Sequence, residues 1–379
     1  MLDKHYLYTP GPTPMPPAVA AAMGQPMTSH RSSGFAKLYG AIVEKAKAVF
    51  QTGNDLYVLT SSGTGGLEAA VANTISSGDK VLAIVVGNFG ERFARLAEIY
   101  GADVTRVQSS PGETFDMTDV EKAWEEKGPF KIVLATHNET STGVTNDIAP
   151  LGRFVGQTEA LLLVDAISSM GAVDIRTDEW QVDVMVTSSQ KALMTPPGLA
   201  LLSISAKAWP IIEANKSPRF YFNLLEARKS FGTKNTPWTP AVSLFYGLNA
   251  ALEMILQEGL PNVFHRHHRM AKAARAGSQG LGFGFLADDC TASHTVTAIV
   301  PPQGVEAAGL SKALQQNMHV SFAGGQGDLK GKILRISHMG YCSELDVLTA
   351  IAALEMGLMK MGQDIEPGSG VKAAGLALL

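Results

Sequence analysis

The sequence predicts an α/β protein, with one large, mostly parallel sheet flanked by helices and a smaller α+β domain at the C-terminus. Three observations carry this. Short apolar runs alternate with helix-periodic segments across 56–190, the pattern of a largely parallel sheet. Those runs end in polar or Gly-rich residues, as strands do where a ligand binds beyond the carboxyl edge of such a sheet. After Gly284 the texture changes to two isolated strand-like runs, 295–300 and 333–337, with helices at 304–317 and 344–358.

At 379 residues the chain exceeds one average domain. The expected division is an N-terminal arm over 1–20, a large domain over 21–260 and a small domain over 261–379. Hydrophobic residues at 45% and charged ones at 17% fit a globular chain with a substantial core. A net charge of −4 with scattered Lys and Arg argues against a nucleic-acid surface or a polybasic membrane anchor. Two distant cysteines, Cys290 and Cys342, give neither a disulfide framework nor a zinc spacing, so a cytoplasmic location is expected. The N-terminus has no apolar signal core and no run approaches 18 apolar residues, so no membrane span is expected.

In chain order, residues 1–17 are Pro-rich and read as an extended arm. A helix starts near 19–23. The polar loop 27–34 carries His30 and Arg31, either anion contacts or solvated residues. Apolar residues at Leu38, Ile42, Val43, Ala46 and Val49 mark a helix over 35–50. The strand 56–59 runs into Thr60-Ser-Ser-Gly-Thr-Gly-Gly66 and then a helix over 67–75. A strand, a Ser/Thr/Gly turn and a helix make an anion cradle, because free N–H groups and the helix dipole favour a phosphate. No Gly-Lys-Ser/Thr follows, and G-x-G-x-x-G fails at Glu68, so the loop indicates phosphate without indicating nucleotide. Strands at 80–86, 104–107 and 132–135 alternate with helices at 91–100, 116–124 and 148–156. The first of these strands leads to Phe89, placed to stack on a flat ring, and the third to Thr140.

The run 161–164 ends at Asp165, and the run 182–186 leads through Ser188, Ser189 and Gln190 to Lys191. The pair suits an aldehyde cofactor bound by Lys191, with Asp165 on its ring nitrogen. A solvated lysine and an aspartate capping the next turn would give the same letters. Five polar strand ends on one sheet edge favour the first reading. The run 199–204 is expected as an antiparallel neighbour. Residues 215–240 read as an irregular aromatic loop, and 241–258 as a helix. The basic helix 262–280 carries His265, His267 and His268 on what reads as a solvated face. Arg335, inside an apolar run, calls for an anion, either a substrate carboxylate or an internal salt bridge. Residues 363–379 read as loosely held.

Taken together, Thr9-Pro-Gly-Pro-Thr-Pro14, Ser62-Gly-Thr64, His137-Asn-Glu-Thr-Ser-Thr-Gly143, Leu163-Val-Asp165, Ser188-Ser-Gln-Lys-Ala192, Pro196-Pro-Gly198, Thr236-Pro-Trp-Thr-Pro240 and Leu334-Arg-Ile336 resemble the class V aminotransferases. These are fold-type I pyridoxal-phosphate enzymes, and the nearest likeness is to the alanine–glyoxylate and serine–pyruvate group. The resemblance covers nearly the whole chain. It implies pyridoxal 5′-phosphate held covalently by Lys191, with Asp165 on the pyridine nitrogen. Ser62, Gly63, Thr64 and Gln190 would hold the phosphate. Phe89 would stack on the ring where relatives often have Trp, Ile167 would pack beneath it, and Thr140 would contact the ring-oxygen region. Arg335 would clamp the substrate carboxylate.

The resemblance also implies a homodimer with shared sites, Thr236 or Thr239 completing the partner's phosphate site. The implied reaction moves the amino group of alanine or serine to glyoxylate or pyruvate by a ping-pong route. Ureidoglycine or 2-aminoethylphosphonate as donor, or a non-catalytic relative acting as a complex subunit, are the alternatives. A cysteine desulfurase is disfavoured, since neither cysteine matches the expected mobile loop.

Overall fold

In the computed structural model, which describes residues 4–379, the chain folds as a layered α/β structure with a second, smaller sheet. The first three residues of the expected arm lie outside the described ones. The arm is extended, as expected, and is tied down by a short strand pairing near its start rather than running free. Its β1 (Tyr6–Leu7) lies parallel to β13 (Val320–Ser321), far along the chain. Two helices follow, α1 (Pro17–Met23) and α2 (Ser33–Phe50). The side chain of Ser32 caps α2 by accepting from Phe35 N, and Phe35, Tyr39, Ile42, Ala46, Val49 and Phe50 form its buried stripe.

The main unit then alternates β2 (Asp55–Ser61), α3 (Gly63–Thr74), β3 (Lys80–Val85), α4 (Asn88–Ile99), β4 (Asp103–Gln108), α5 (Met117–Lys127) and β5 (Ile132–Thr136). A small hairpin, β6 (Asn138–Glu139) with β7 (Val144–Thr145), follows β5. Next come α6 (Ile148–Val155), β8 (Leu161–Asp165), β9 (Val184–Ser188) and β10 (Gly198–Ile204). The sheet order is β2-β10-β9-β8-β5-β3-β4. β10 runs antiparallel to both β2 and β9, as the sequence suggested, and the other six strands share one direction. The carboxyl ends of all six therefore meet one edge. β8 and β9 are buried on both faces, which explains their unbroken apolar runs. One apolar layer packs Phe35, Ile42, Phe245 and Leu248 on one face, and another packs Leu67, Phe93, Ile212 and Leu224 on the other.

Beyond β10 come α7 (Ala208–Ala214), α8 (Leu224–Phe231), α9 (Val242–Glu258) and α10 (Leu260–Gly280). The stretch 215–240 is thus not irregular throughout: Asn223 caps α8 on Leu225 N. The remaining elements are β11 (Gly284–Phe285), β12 (Val296–Val300), α11 (Ala307–Met318), β13, β14 (Ala323–Gly324), β15 (Leu334–Ser337), α12 (Glu344–Lys360) and α13 (Ser369–Leu378). A second sheet has the order β11-β12-β15-β14.

Two expectations fail here. The C-terminal stretch is not loose, because α13 packs on α10 and α12 and buries Gly370, Ala374 and Leu378. Its Gly/Ala composition permits close helix contact rather than indicating disorder. The histidine run does not lie wholly on a solvated face. His267 is buried, takes Gly340 N at 3.0 Å on Nε2 and contacts Val263 O at 2.7 Å, while His268 meets His294 at 3.1 Å.

Candidate functional site

The sheet edge gathers the singled-out residues at or just beyond five strand ends, those of β2, β3, β5, β8 and β9. Asp165 is the last residue of β8, buried at 3% exposure, and its Oδ1 accepts from Ile167 N at 2.8 Å. Among the described residues it makes no ion pair within 4 Å. Burial pushes its carboxyl up to about 7 against the Ile167 N–H, Lys191 and Arg92, with Glu139 pushing the same way as burial. Strand β9 lies two residues later than expected, so Ser188 ends the strand and Lys191 stands three residues beyond it. Burial pushes the Lys191 amine down to about 8, Arg335 and Arg92 add to this, and Asp165 opposes it. Its Nζ donates to Pro10 O of the arm.

The anion cradle differs from the expected loop, because the helix begins at Gly63 itself. Ser62 is the N-cap residue of α3 with its side chain free of a capping bond, and Ser62 and Thr64 are exposed. The first-turn amides of α3 therefore lie beside the open hydroxyls. Gly63 packs closely, since a Cβ there would fall 2.7 Å from Ile167 Cδ1 and 3.1 Å from Ser188 Oγ and would push the Ile167 side chain aside. Thr64 Oγ1 is 3.4 Å from Arg92 Nη1. The Ser188 hydroxyl and the Gln190 side-chain oxygen are buried and, among the described residues, have no hydrogen-bond partner. Such orphans await a group the protein does not supply.

Phe89 lies in the first turn of α4, not in a loop before it, and the Arg92 guanidinium stacks on it at 4.8 Å. Its placement depends on Glu139, whose role the sequence reading missed although the residue stood inside the quoted 137–143 motif. The buried Glu139 carboxyl accepts from the N–H groups of Phe89, Gly90 and Ser141 at 3.0–3.1 Å, clamping the start of α4 to the hairpin after β5. Thr140, the next residue, is buried in the same hairpin turn.

Arg335 lies on β15 with 5% exposure, and among the described residues it makes no salt bridge within 4 Å. Its Nε donates to Gly324 O at 2.9 Å and its Nη1 to Thr140 O at 3.0 Å. Two carbonyls fix the guanidinium without pairing its charge, and Glu139 acts on it only through space, which leaves room for an incoming carboxylate. Arg335, Lys191, Phe89 and Thr140 line one cavity of about 500 Å³, together with Pro10 to Pro12 of the arm. The arm was read only as extended, yet it lies directly on the lysine. A Cβ on Gly11, which has φ +121°, would come within 2.6 Å of Lys191 Nζ.

Four named positions lie elsewhere. Thr236 is buried, with its hydroxyl on Trp238 O, and Thr239 is exposed on the same loop. Arg31 donates to Thr236 O at 2.8 Å, so it orders that loop, and neither it nor His30 lines the cavity.

The chain matches known proteins along almost its whole length. The family model for aminotransferase class-V matches residues 5–347. The chain is 40% identical over 382 residues to the small subunit of a soluble hydrogenase from Synechococcus sp., covering 100% of this chain and 99% of that one. It is 39% identical over 380 residues to the L-aspartate–glyoxylate aminotransferase of Paracoccus denitrificans, covering 99% and 96%. The crystal structure of pyridoxamine-pyruvate aminotransferase from Mesorhizobium loti superposes with a TM-score of 0.93 at 31% identity, covering 98% of this chain and 96% of that one. The cavity, the amine and acid at adjacent strand ends and these likenesses agree: the chain belongs to the class V aminotransferases, fold-type I enzymes whose cofactor is pyridoxal 5′-phosphate.

Proposed function

We propose that this enzyme transfers the amino group of a small monocarboxylate amino acid, alanine or serine, to glyoxylate or pyruvate in two alternating half-reactions. The observation that carries this is the charge of the cavity wall. Among the described residues, Lys191 and Arg335 are its only cationic lining residues. With Lys191 committed to the cofactor, Arg335 remains for one carboxylate. A donor with a second carboxylate, as in the aspartate–glyoxylate relative, finds no second cation here.

The cofactor supplies an aldehyde that captures amino groups and a ring that takes up the electron pair released at the substrate Cα. Lys191 would hold that aldehyde through Nζ. An amine titrating near 8 is partly neutral at physiological pH, so once released Nζ can take the Cα proton. Asp165 would accept a hydrogen bond from the ring nitrogen and keep it protonated. A buried carboxyl without an ion partner gains most from such a cationic neighbour.

Ser62, Gly63, Thr64 and Gln190 would hold the phosphate. Phe89 and Ile167 would sandwich the ring, and Thr140 would border it. Arg335 would take the substrate carboxylate. The α3 cradle is open to solvent, which supports a homodimer in which the partner's 235–239 loop completes it. Thr239 suits that part better than Thr236, whose hydroxyl is spent on its own loop. The arm, large-domain and small-domain division at residues 20 and 260 and a cytoplasmic location belong to the same proposal. Among the described residues no helix is long and apolar enough to cross a membrane.

The hydrogenase-subunit relative favours a second reading, a non-catalytic member of a complex. The complete set of Lys191, Asp165 and Arg335 supports the enzyme instead. The test mixes the holoenzyme with single amino acids and follows loss of the bound cofactor's visible absorbance. Alanine or serine should bleach it and Lys191→Ala should abolish steady-state transamination. Bleaching by aspartate alone, or by no amino acid, would overturn the proposal, as would substantial turnover by the variant.

A further inference from the structure

We infer that Gln326 reads the substrate side chain and favours a hydroxyl, so that serine is preferred to alanine; this rests on the aminotransferase reading above. Gln326 follows β14 and lines the same cavity as Lys191, Phe89, Thr140 and Arg335. It stands two residues beyond Gly324, whose carbonyl holds Arg335 Nε at 2.9 Å. The residue is therefore tied to the group that takes the carboxylate.

Its backbone is held from both sides. Leu329 N donates to Gln326 O at 3.0 Å, closing a short turn. The next residue, Gly327, has φ +52°, and a Cβ there would fall 2.9 Å from Asn88 Oδ1. The turn thus rests on the start of α4, one residue from Phe89. A side chain on so constrained a turn has a defined reach, which selective recognition requires.

The side-chain oxygen of Gln326 is buried and, among the described residues, has no hydrogen-bond partner. A buried acceptor without a donor is costly and calls for a donor that arrives with a ligand. On a small amino acid the candidates are few. The carboxylate carries no proton and belongs at Arg335. The amino group is directed to the cofactor carbonyl that Lys191 otherwise occupies. The remaining donor is a side-chain hydroxyl, present on serine and absent from alanine. A site built to pair with a hydroxyl discriminates against the analogue without it, because alanine leaves the acceptor unpaired.

The test measures kcat/KM of the holoenzyme for serine and for alanine, in the parent protein and in Gln326→Leu and Gln326→Glu. The parent should favour serine. Gln326→Leu should lower kcat/KM for serine by about tenfold or more and change alanine by less than about twofold, the effect of losing one buried pairing. Gln326→Glu keeps an acceptor oxygen and should keep the preference for serine, with both values lowered by the added charge near the carboxylate. An equal loss for both substrates in Gln326→Leu marks a role in seating the turn and overturns the inference. So does an unchanged ratio, or a parent protein that prefers alanine. A parent protein that reacts with no amino acid overturns the aminotransferase reading itself, and is recognised without any variant.

Discussion

Replacing Asp165 with Asn should stabilise the cofactor-free protein at pH 8 while removing its activity. The carboxyl titrates near 7 in the folded chain against an ordinary value of 3.8. At about 1.4 kcal/mol per pH unit of separation, the ionised form costs the fold on the order of 4 kcal/mol. Asn keeps the oxygen that accepts from Ile167 N and drops the charge. That separation already contains the attraction of Lys191, so most of those roughly 4 kcal/mol should appear as added stability.

The sign follows from proton counts. Between pH 4 and 7 the folded chain holds the Asp165 proton and the unfolded chain does not, so stability falls as pH rises through that window. Asn has no such proton. Urea unfolding of the cofactor-free proteins should therefore show little difference at pH 4.5 and a widening advantage for Asp165→Asn up to pH 7–8. An advantage independent of pH, or a variant less stable than the parent at pH 8, would refute this account of the buried carboxyl. With cofactor added the order should reverse in function, because Asn cannot keep the ring nitrogen protonated.

Two further outcomes follow from contacts already described. Arg335→Lys should raise KM for the amino acid by roughly tenfold to a hundredfold with little change in cofactor affinity, since a lysine cannot hold both carbonyls and a carboxylate at once; an unchanged KM in steady-state assays would assign Arg335 to the fold alone. Ending the chain at Gly368 should lower the urea midpoint, with a loss of about 3 kcal/mol or more. That truncation removes the buried Ala374 and Leu378 and the Gly370 N–H that Glu355 accepts at 3.1 Å; a truncated protein as stable as the full chain would show that α13 contributes nothing.

Much of the site was legible before any fold was known. Asp165 and Lys191 follow apolar runs, so their place at strand ends follows from period and length alone. The cradle was legible from Ser and Gly after a strand, although the helix starts earlier than the apolar pattern suggested, because Gly63 and Gly65 are poor helix formers that the sheet packing holds in the first turn. Other features had no local signal. Glu139 reads as one more polar residue of a turn until α4 is laid against it. The Gly/Ala tail reads as loose until α10 lies beneath it, and His267 reads as solvated until the chain near Gly340 covers it.

By itself the sequence determined the order of the βα units, the antiparallel place of β10 and the positions of the acid, the amine and the lone strand arginine. Those depend on periodicity and on chemistry within a few residues. Only the tertiary structure decided that Pro10 and Gly11 lie on Lys191, that Thr140 O holds Arg335 and that Gln326 turns into the same cavity. The Lys191–Pro10 and Arg335–Thr140 contacts span 181 and 195 residues of chain. Their partners are backbone carbonyls, which every residue carries, so no residue type in the sequence marks them.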